Sequence, residues 1–455
     1  MKWFLLLISV LLFSCNQSEK VSKSSNWELL FNEQNLNNWE VRNGTAEFII
    51  EEKELVGTSK LNTPNTFLCT KKMYDDFILE LELKVDQPLN SGIQIRSHSI
   101  PTYYDGAVHG YQVEVDPSPR AFSGGIYDES RRGWLNTLKN NPAAQKAFKQ
   151  NAWNKYRIEA IGDTIKTWIN NVPAAYLIDD MTATGFIGLQ VHGIGKDENK
   201  NGTQVIWKNV RILTENLQEY SQKSNIEPVV TKNNLYGKEA EAGWKMLWDG
   251  KTTKGWKGAK LDEFPKSGWE IKDGVLSVLA SGGAESTAGG DIVTTELYSD
   301  FELKLDFKIT EGANSGIKYY VDTEINKGAG SSIGLEYQIL DDAKHPDAKQ
   351  GNHEGSRTVS SLYDLIQADT NKVVNPIGTW NHARIVSKKN HVQHWLNGRK
   401  VLEYERKSPE YFKLVSESKY KKWPNFGEAE QGRILLQDHG DLVSFRNIKI
   451  RSLKK

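Results

Sequence analysis

Cysteine is almost absent, with two residues in 455, Cys15 and Cys69. Two thiols close at most one bridge, so a disulfide framework is excluded as the source of stability. Methionine and histidine are scarce at four and nine, and no HExxH or CxxC spacing occurs, so the chain carries no local zinc motif. Charge of one sign does not prevail either, because 58 Lys and Arg face 58 Asp and Glu. That balance argues against a nucleic-acid footprint and against a general attraction to acidic membranes. Helical periodicity is rare, confined to short stretches such as Ala143 to Lys149 and Pro409 to Ser416.

Long apolar runs are missing except at the start. Lys2, the run Trp3 to Phe13, and Ser14-Cys15 read as a secretory signal over residues 1–15, too short to remain as a membrane span. Leu12-Phe13-Ser14-Cys15 resembles a bacterial lipobox, which predicts acylation of Cys15 and a polar tether over 16–25. The expected location is the bacterial cell envelope, on a lipid anchor. Cys69 is then left without a partner and reads as a small buried hydrophobe.

What is present in abundance is repetition. FELKLDFKITEGANSGIKYY (Phe301 to Tyr320) aligns without a gap on FILELELKVDQPLNSGIQIR (Phe77 to Arg96), with eight of twenty residues identical. Apolar residues alternate in both copies, the period of a strand with one face in a core. Asn-Ser-Gly reads as a turn, and the next strand carries Gln94 and Arg96 in one copy, Lys318 and Tyr320 in the other. Each half opens on a Trp-rich segment (Trp27 and Trp39; Trp244 and Trp256), and Trp153-Asn154 recurs as Trp380-Asn381. The pattern predicts an all-β protein of two sandwiches, over 26–213 and 243–455, joined by a linker at 214–242. Trp168-Ile-Asn170-Asn171 and Trp395-Leu-Asn397-Gly398 read as structural hairpins.

Three further segments recur and place polar residues on alternate strand positions. Gln112 and Glu114 correspond to Glu336 and Gln338, Gln190 and His192 to Gln437 and His439, and Tyr127-Asp128 to Tyr363-Asp364. Residues two apart on a strand share a face, so each half presents amides, a carboxylate and a His together. Such groups match the donors and acceptors of sugar hydroxyls. Ordinary glycosidases need two carboxyl groups, yet Glu114 and Asp116 correspond to Gln338 and Leu340, so that pair is not repeated. A metal site combining His439 with Glu336 is conceivable, although the remaining His are scattered.

These residues carry a resemblance. NSGIKYY, GLEYQILDD, SSLYDLI, GTWNHARIV, HVQHWLNGRKVLEYE and LLQDHGDLVSFRNIKIRSL resemble the 3-keto-disaccharide hydrolase domain, also called 3-keto-glucoside 1,2-lyase/3-keto-2-hydroxyglucal hydratase. NSGIQIRS, HGYQVEVDPSPRAFSGGIYDESRRGW and GFIGLQVHG make the first half similar to a divergent branch. The resemblance implies concanavalin A-like jelly rolls acting on glycosides whose C3 has been oxidised by a sugar 3-oxidoreductase. A base would take the C2 proton, the C1 substituent would leave, and water would add back. For such a route the second half offers His439 or Glu336 as base, Lys318 or a divalent metal ion as enolate stabiliser, and Gln338, Tyr320, Tyr363, Asp364 and Gln437 as sugar-binding groups. The matched set in the first half is Gln94, Arg96, Gln112, Glu114, Tyr127, Asp128, Gln190 and His192, with Arg131 and Arg132 nearby. The competing expectations are a non-catalytic glycan-binding lipoprotein and a conventional glycoside hydrolase.

Overall fold

A computed structural model describes residues 26–86, 89–101, 103–236, 239–282 and 289–454. The signal, the lipobox with Cys15 and the tether lie outside the described residues. Among the described residues no helix is long and apolar enough to cross a membrane.

Alternation in the repeated strand is what builds the core. Phe77, Leu79, Leu81, Leu83 and Val85 bury their side chains in one apolar cluster, and Phe301, Leu303, Leu305, Phe307 and Ile309 do so in another. Burying one such side chain contributes roughly 1.5–3 kcal/mol. Phe77–Val85 pairs antiparallel with Asn154–Ile161 and Gln204–Leu213, while Phe301–Ile309 pairs with Asn381–Lys388 and Val443–Ser452. The sequence repeat is therefore a structural repeat. Opposed to the nine-stranded sheet of the first sandwich is a seven-stranded one, and the second sandwich sets eight strands against five. The two are concanavalin A-like jelly rolls in tandem.

Hairpin chemistry appears where the sequence places it. Asn170 and Asn171 take φ 50° and 66°, and Asn397 and Gly398 take 48° and 85°. These Asn side chains also tie the repeat together, because Asn170 donates to Asn154 at 2.8 Å and Asn397 to Asn381 at 2.9 Å. The segment between the sandwiches is more structured than a plain linker. Val229–Val230 adds a parallel edge to Val172–Ile178, and Asn233 and Asn447 exchange backbone-to-side-chain hydrogen bonds at 2.5 and 2.8 Å. Arg446 of the second sandwich is ion-paired with Asp180 of the first.

One expectation fails in an instructive way. Asn-Ser-Gly is not a turn; Ser91–Ser99 and Asn314–Asp322 are strands from their first residue. Ser91 and Ser315 donate to the carbonyls of Gln190 and Gln437 at 2.6 and 2.8 Å, which stitches the strand to its neighbour. Glycine is needed for close approach: a Cβ on Gly316 would stand 2.1 Å from Glu336 Oε1, and one on Gly92 would stand 2.4 Å from the Gln112 amide carbon.

Candidate functional site

The Asn314–Asp322 strand turns Ile317 and Tyr319 into the core, so Gly316 and Lys318 face outward on the five-stranded sheet. Lys318 lies directly opposite Glu336, and their charged groups are 3.6 Å apart although both side chains are almost fully buried. Lys318 also donates to Ser331 Oγ and, at 3.3 Å, to the Ser332 carbonyl, and Ser331 in turn donates to Asp291. Burial raises the Asp291 pKa, against the pull of the Lys318 ammonium. A buried cation is tolerable because two carboxylates and two oxygens share it.

A polar relay leads away from this pair. The Gln338 amide, with its nitrogen turned to Glu336, donates to Oε1 at 3.2 Å, and it lies 3.1 Å from the Asn314 amide. Asn314 Nδ2 is 3.3 Å from His439 Nε2. His439, Asn314, Gln338, Glu336, Lys318, Ser331 and Asp291 thus form one connected set on one face. Beside it opens a cavity of about 250 Å³ whose wall includes Asp291. Loop residues flank the set. Tyr363 donates to Asp347 at 2.8 Å, its backbone N–H donates to the Glu336 carbonyl, and the Lys419 ammonium lies 4.2 Å from the centre of its ring. Burial raises the Tyr363 pKa, and the carboxylates of Asp347 and Glu336 push the same way. Lys419 is delivered by the longer loop of the second copy. There the helix Pro409–Glu417 starts on Ser408, whose hydroxyl caps the Tyr411 N–H at 3.1 Å.

Next to the relay, His345, His439 and Asp441 hold three ligand atoms within 4.8 Å of one another. His345 Nδ1 accepts the Asp347 N–H at 3.1 Å, which leaves Nε2 as its ligand atom, and His439 Nδ1 makes no hydrogen bond among the described residues but faces Asp441 Oδ2 at 4.0 Å. Burial, with His439 second, lowers the His345 pKa and so favours the neutral, ligating ring. Two imidazoles and a carboxylate fit a divalent ion such as zinc.

The first sandwich repeats the frame with different charges. Gln94 donates to Gln112 at 2.8 Å in the register of Lys318 and Glu336, and the carboxylate has moved one pleat along, to Glu114. Asn90 and Gln112 donate to Glu114 at 2.8 and 3.3 Å. Burial nevertheless pushes the Glu114 pKa up to about 7. Gln190 is fully buried on this face, and neither of its amide atoms has a partner among the described residues. The ring of His192 bonds the Gly193 carbonyl through Nδ1 at 2.8 Å. Tyr127 packs edge-on against Trp134 at 5.3 Å. Cys69 is free and fully buried, and desolvation holds its thiol protonated.

Several expected residues do not join either set. Arg96 and Tyr320 follow the alternation on paper, but a bulge at φ 46° and 53° breaks the register and turns both inward. Arg96 clamps the Asp75 and Gly162 carbonyls at 2.7 Å each, and Tyr320 donates to the Ser299 carbonyl at 2.6 Å beneath the Arg406 guanidinium. Asp128 shares the inner face with Tyr111, where Arg131 and Arg132 pair with it and Arg132 also grips Asp179. Asp364 is buried and anchors the loop by accepting from Arg357 at 2.8 Å and the Lys419 N–H at 3.0 Å. Gln437 stays with the set through its backbone, whose N–H donates to the Gly316 carbonyl at 3.0 Å. Sequence reasoning missed Asp291, Ser331, Asn314, Lys419 and the Asp441–His345 pairing. Asp441 was discoverable as an acid that the first copy replaces with Ile194.

Two outward-facing polar sets on two jelly rolls define a tandem concanavalin A-like protein with a separate chemical face on each unit. The chain belongs to the 3-keto-alpha-glucoside-1,2-lyase-like domain family, which matches it over residues 26–213 and 243–451. The 3-keto-disaccharide hydrolase of Bacteroides thetaiotaomicron is 38% identical over 231 residues, 46% of this chain and 79% of that protein. A solved structure of a candidate glycosyl hydrolase from Parabacteroides distasonis is 32% identical, covering 49% of this chain and 100% of its own, with a TM-score of 0.43. A second from the same organism is 30% identical, covering 44% and 99%, with a TM-score of 0.31.

Proposed function

We propose that the second sandwich hydrolyses 3-keto-glycosides by elimination and rehydration. The reading is carried by the Lys318–Glu336 pair, a cation and a base side by side with Gly316 clearing the space above them. A C3 ketone acidifies the C2 hydrogen. Glu336 takes that proton, and the enolate charge that develops on the C3 oxygen is met by the Lys318 ammonium. The electron pair then forms the C1–C2 double bond and expels the C1 oxygen, which takes a proton delivered from His439 at the far end of the relay. Water adds at C1, a proton returns to C2, and the net result is hydrolysis. A divalent ion held by His345, His439 and Asp441 would supply Lewis acidity at the departing oxygen in place of the His439 proton, since a ligating ring is neutral. No second catalytic carboxylate is required.

A substrate of this kind requires a sugar 3-oxidoreductase upstream. The leader read from the sequence would tether the protein in the cell envelope through Cys15, which metabolic labelling with a radioactive fatty acid tests. Incubation with a 3-keto-glucoside and with its unoxidised parent tests the activity itself. Loss of the keto-glycoside alone supports it, cleavage of both points to a conventional glycosidase, and binding without turnover points to a lectin.

A further inference from the structure

We propose that the cleft beside the outer face of the first sandwich is a second carbohydrate site, one that holds a neutral pyranose and does not cleave it. The inference rests on the reading of the second sandwich as the place of cleavage, and it concerns a different set of residues. The cleft has a volume of about 600 Å³ and is lined by Asn90, Asp116, Arg120, His192 and Lys200 among others. That size falls within the roughly 300–1,000 Å³ of small-molecule sites.

Its charges cancel in pairs. Arg120 bonds Asp116 at 2.8 Å, and Lys200 stands 3.7 Å from Asp197, so neither a uronate nor a phosphate finds an unpaired cation there. The Arg120 guanidinium also lies 4.9 Å from the centre of the Trp134 ring. The guanidinium beside the indole gives a pyranose a wall to rest on, and the Asn90 amide offers hydrogen-bonding groups for its hydroxyls, while Asp116 is taken up by Arg120 and the Ser118 and Phe122 N–H groups and holds that wall in place. Behind them, on the same sheet face, Gln190 keeps an unpartnered amide.

What this cleft lacks is the machinery of elimination. Gln94 replaces Lys318, so no buried cation meets an enolate, and Ile194 replaces Asp441, so the His-His-Asp set is not repeated. Glu114, the carboxyl nearest the place that Glu336 takes in the second sandwich, is shifted by one pleat, and its raised pKa leaves it partly protonated near neutrality.

Isothermal titration of the full chain carrying Lys318→Met, with cellobiose as probe, tests the proposal. The expected result is a saturable event that Arg120→Ala and, separately, Lys200→Gln weaken by about tenfold or more, while Glu336→Gln leaves it in place. The Arg120 and Lys200 side chains are 46% and 35% exposed, so their truncation opens no core cavity, and circular dichroism of each variant checks that the sandwich is retained. Absence of saturable binding, binding that neither substitution weakens, or tighter binding of glucuronate than of cellobiose would each overturn it. Because the readout is binding in a protein whose second site is disarmed, its failure leaves the cleavage reading intact, and loss of the cleavage reading leaves this measurement interpretable.

Discussion

Lys318 and Glu336 occupy directly opposed positions on neighbouring strands with their charges 3.6 Å apart, and the same register in the first sandwich holds Gln94 and Gln112. One copy therefore concentrates a cation and a base where the other has a neutral amide pair. His439 recurs as His192, so that ring does not distinguish the two faces; this pair does.

Lys318→Met should lower kcat on a 3-keto-glucoside by about 10²–10³-fold, the usual effect of removing a preorganised stabiliser of developing negative charge. Steady-state kinetics on the purified full chain checks it. The substitution also strips Glu336 and Asp291 of their shared cation, so thermal unfolding should shift down as well. A variant that keeps wild-type kcat removes Lys318 from the mechanism.

Gly316→Ala should lower activity without replacing any charged group. The added Cβ would stand 2.1 Å from Glu336 Oε1 and must displace that carboxylate from its place beside Lys318. The expected outcome is a fall in kcat with the far-UV spectrum of the β-sandwich retained. Undiminished turnover would show that Glu336 does not act from its present position.

The Glu114 carboxyl gives stability a pH dependence of known sign. Its folded pKa is raised from 4.5 to about 7, so the folded state binds this proton more tightly than the unfolded chain does. The stabilisation is complete below the unfolded value and is lost as pH rises through about 7. The shift corresponds to about 3 kcal/mol as an order of magnitude. Glu114→Gln should therefore raise the denaturation midpoint at pH 8, with little effect at pH 4. An unchanged midpoint at pH 8 would contradict the buried placement of this group.

Zinc should raise the melting temperature of the wild-type chain, and the shift should disappear in His345→Ala and in Asp441→Asn. Differential scanning calorimetry with and without added Zn²⁺ measures it. A shift that survives both substitutions would locate the ion elsewhere.

Much of the fold was legible because strand alternation is a local signal. Phe301 to Ile309 announces its buried face in nine residues, and Asn397-Gly398 announces its hairpin in two. The outward positions Lys318, Glu336 and Gln338 follow from the same rule. Where the rule failed, the backbone had broken it: the bulge at Arg96 and Tyr320 reverses the side chain, and no residue type marks it in advance. Asp128 was misassigned for another reason, since it follows Tyr127 by one strand position and so faces the opposite way, while Asp364 sits in a turn at φ 62° and is used up by Arg357 and the Lys419 N–H. Asp291, Ser331 and Lys419 reach the set from distant loops, and only tertiary structure brings them beside Lys318.

The most direct measurement uses a 3-keto-glucoside deuterated at C2, turned over in ordinary water, with the released sugar analysed by NMR. Abstraction by Glu336 predicts that the deuterium is washed out of the product and that kcat shows a primary isotope effect where the chemical step limits the rate. Released sugar that retains its C2 deuterium, together with no isotope effect on a single turnover, would contradict elimination and leave direct displacement at C1 as the reaction.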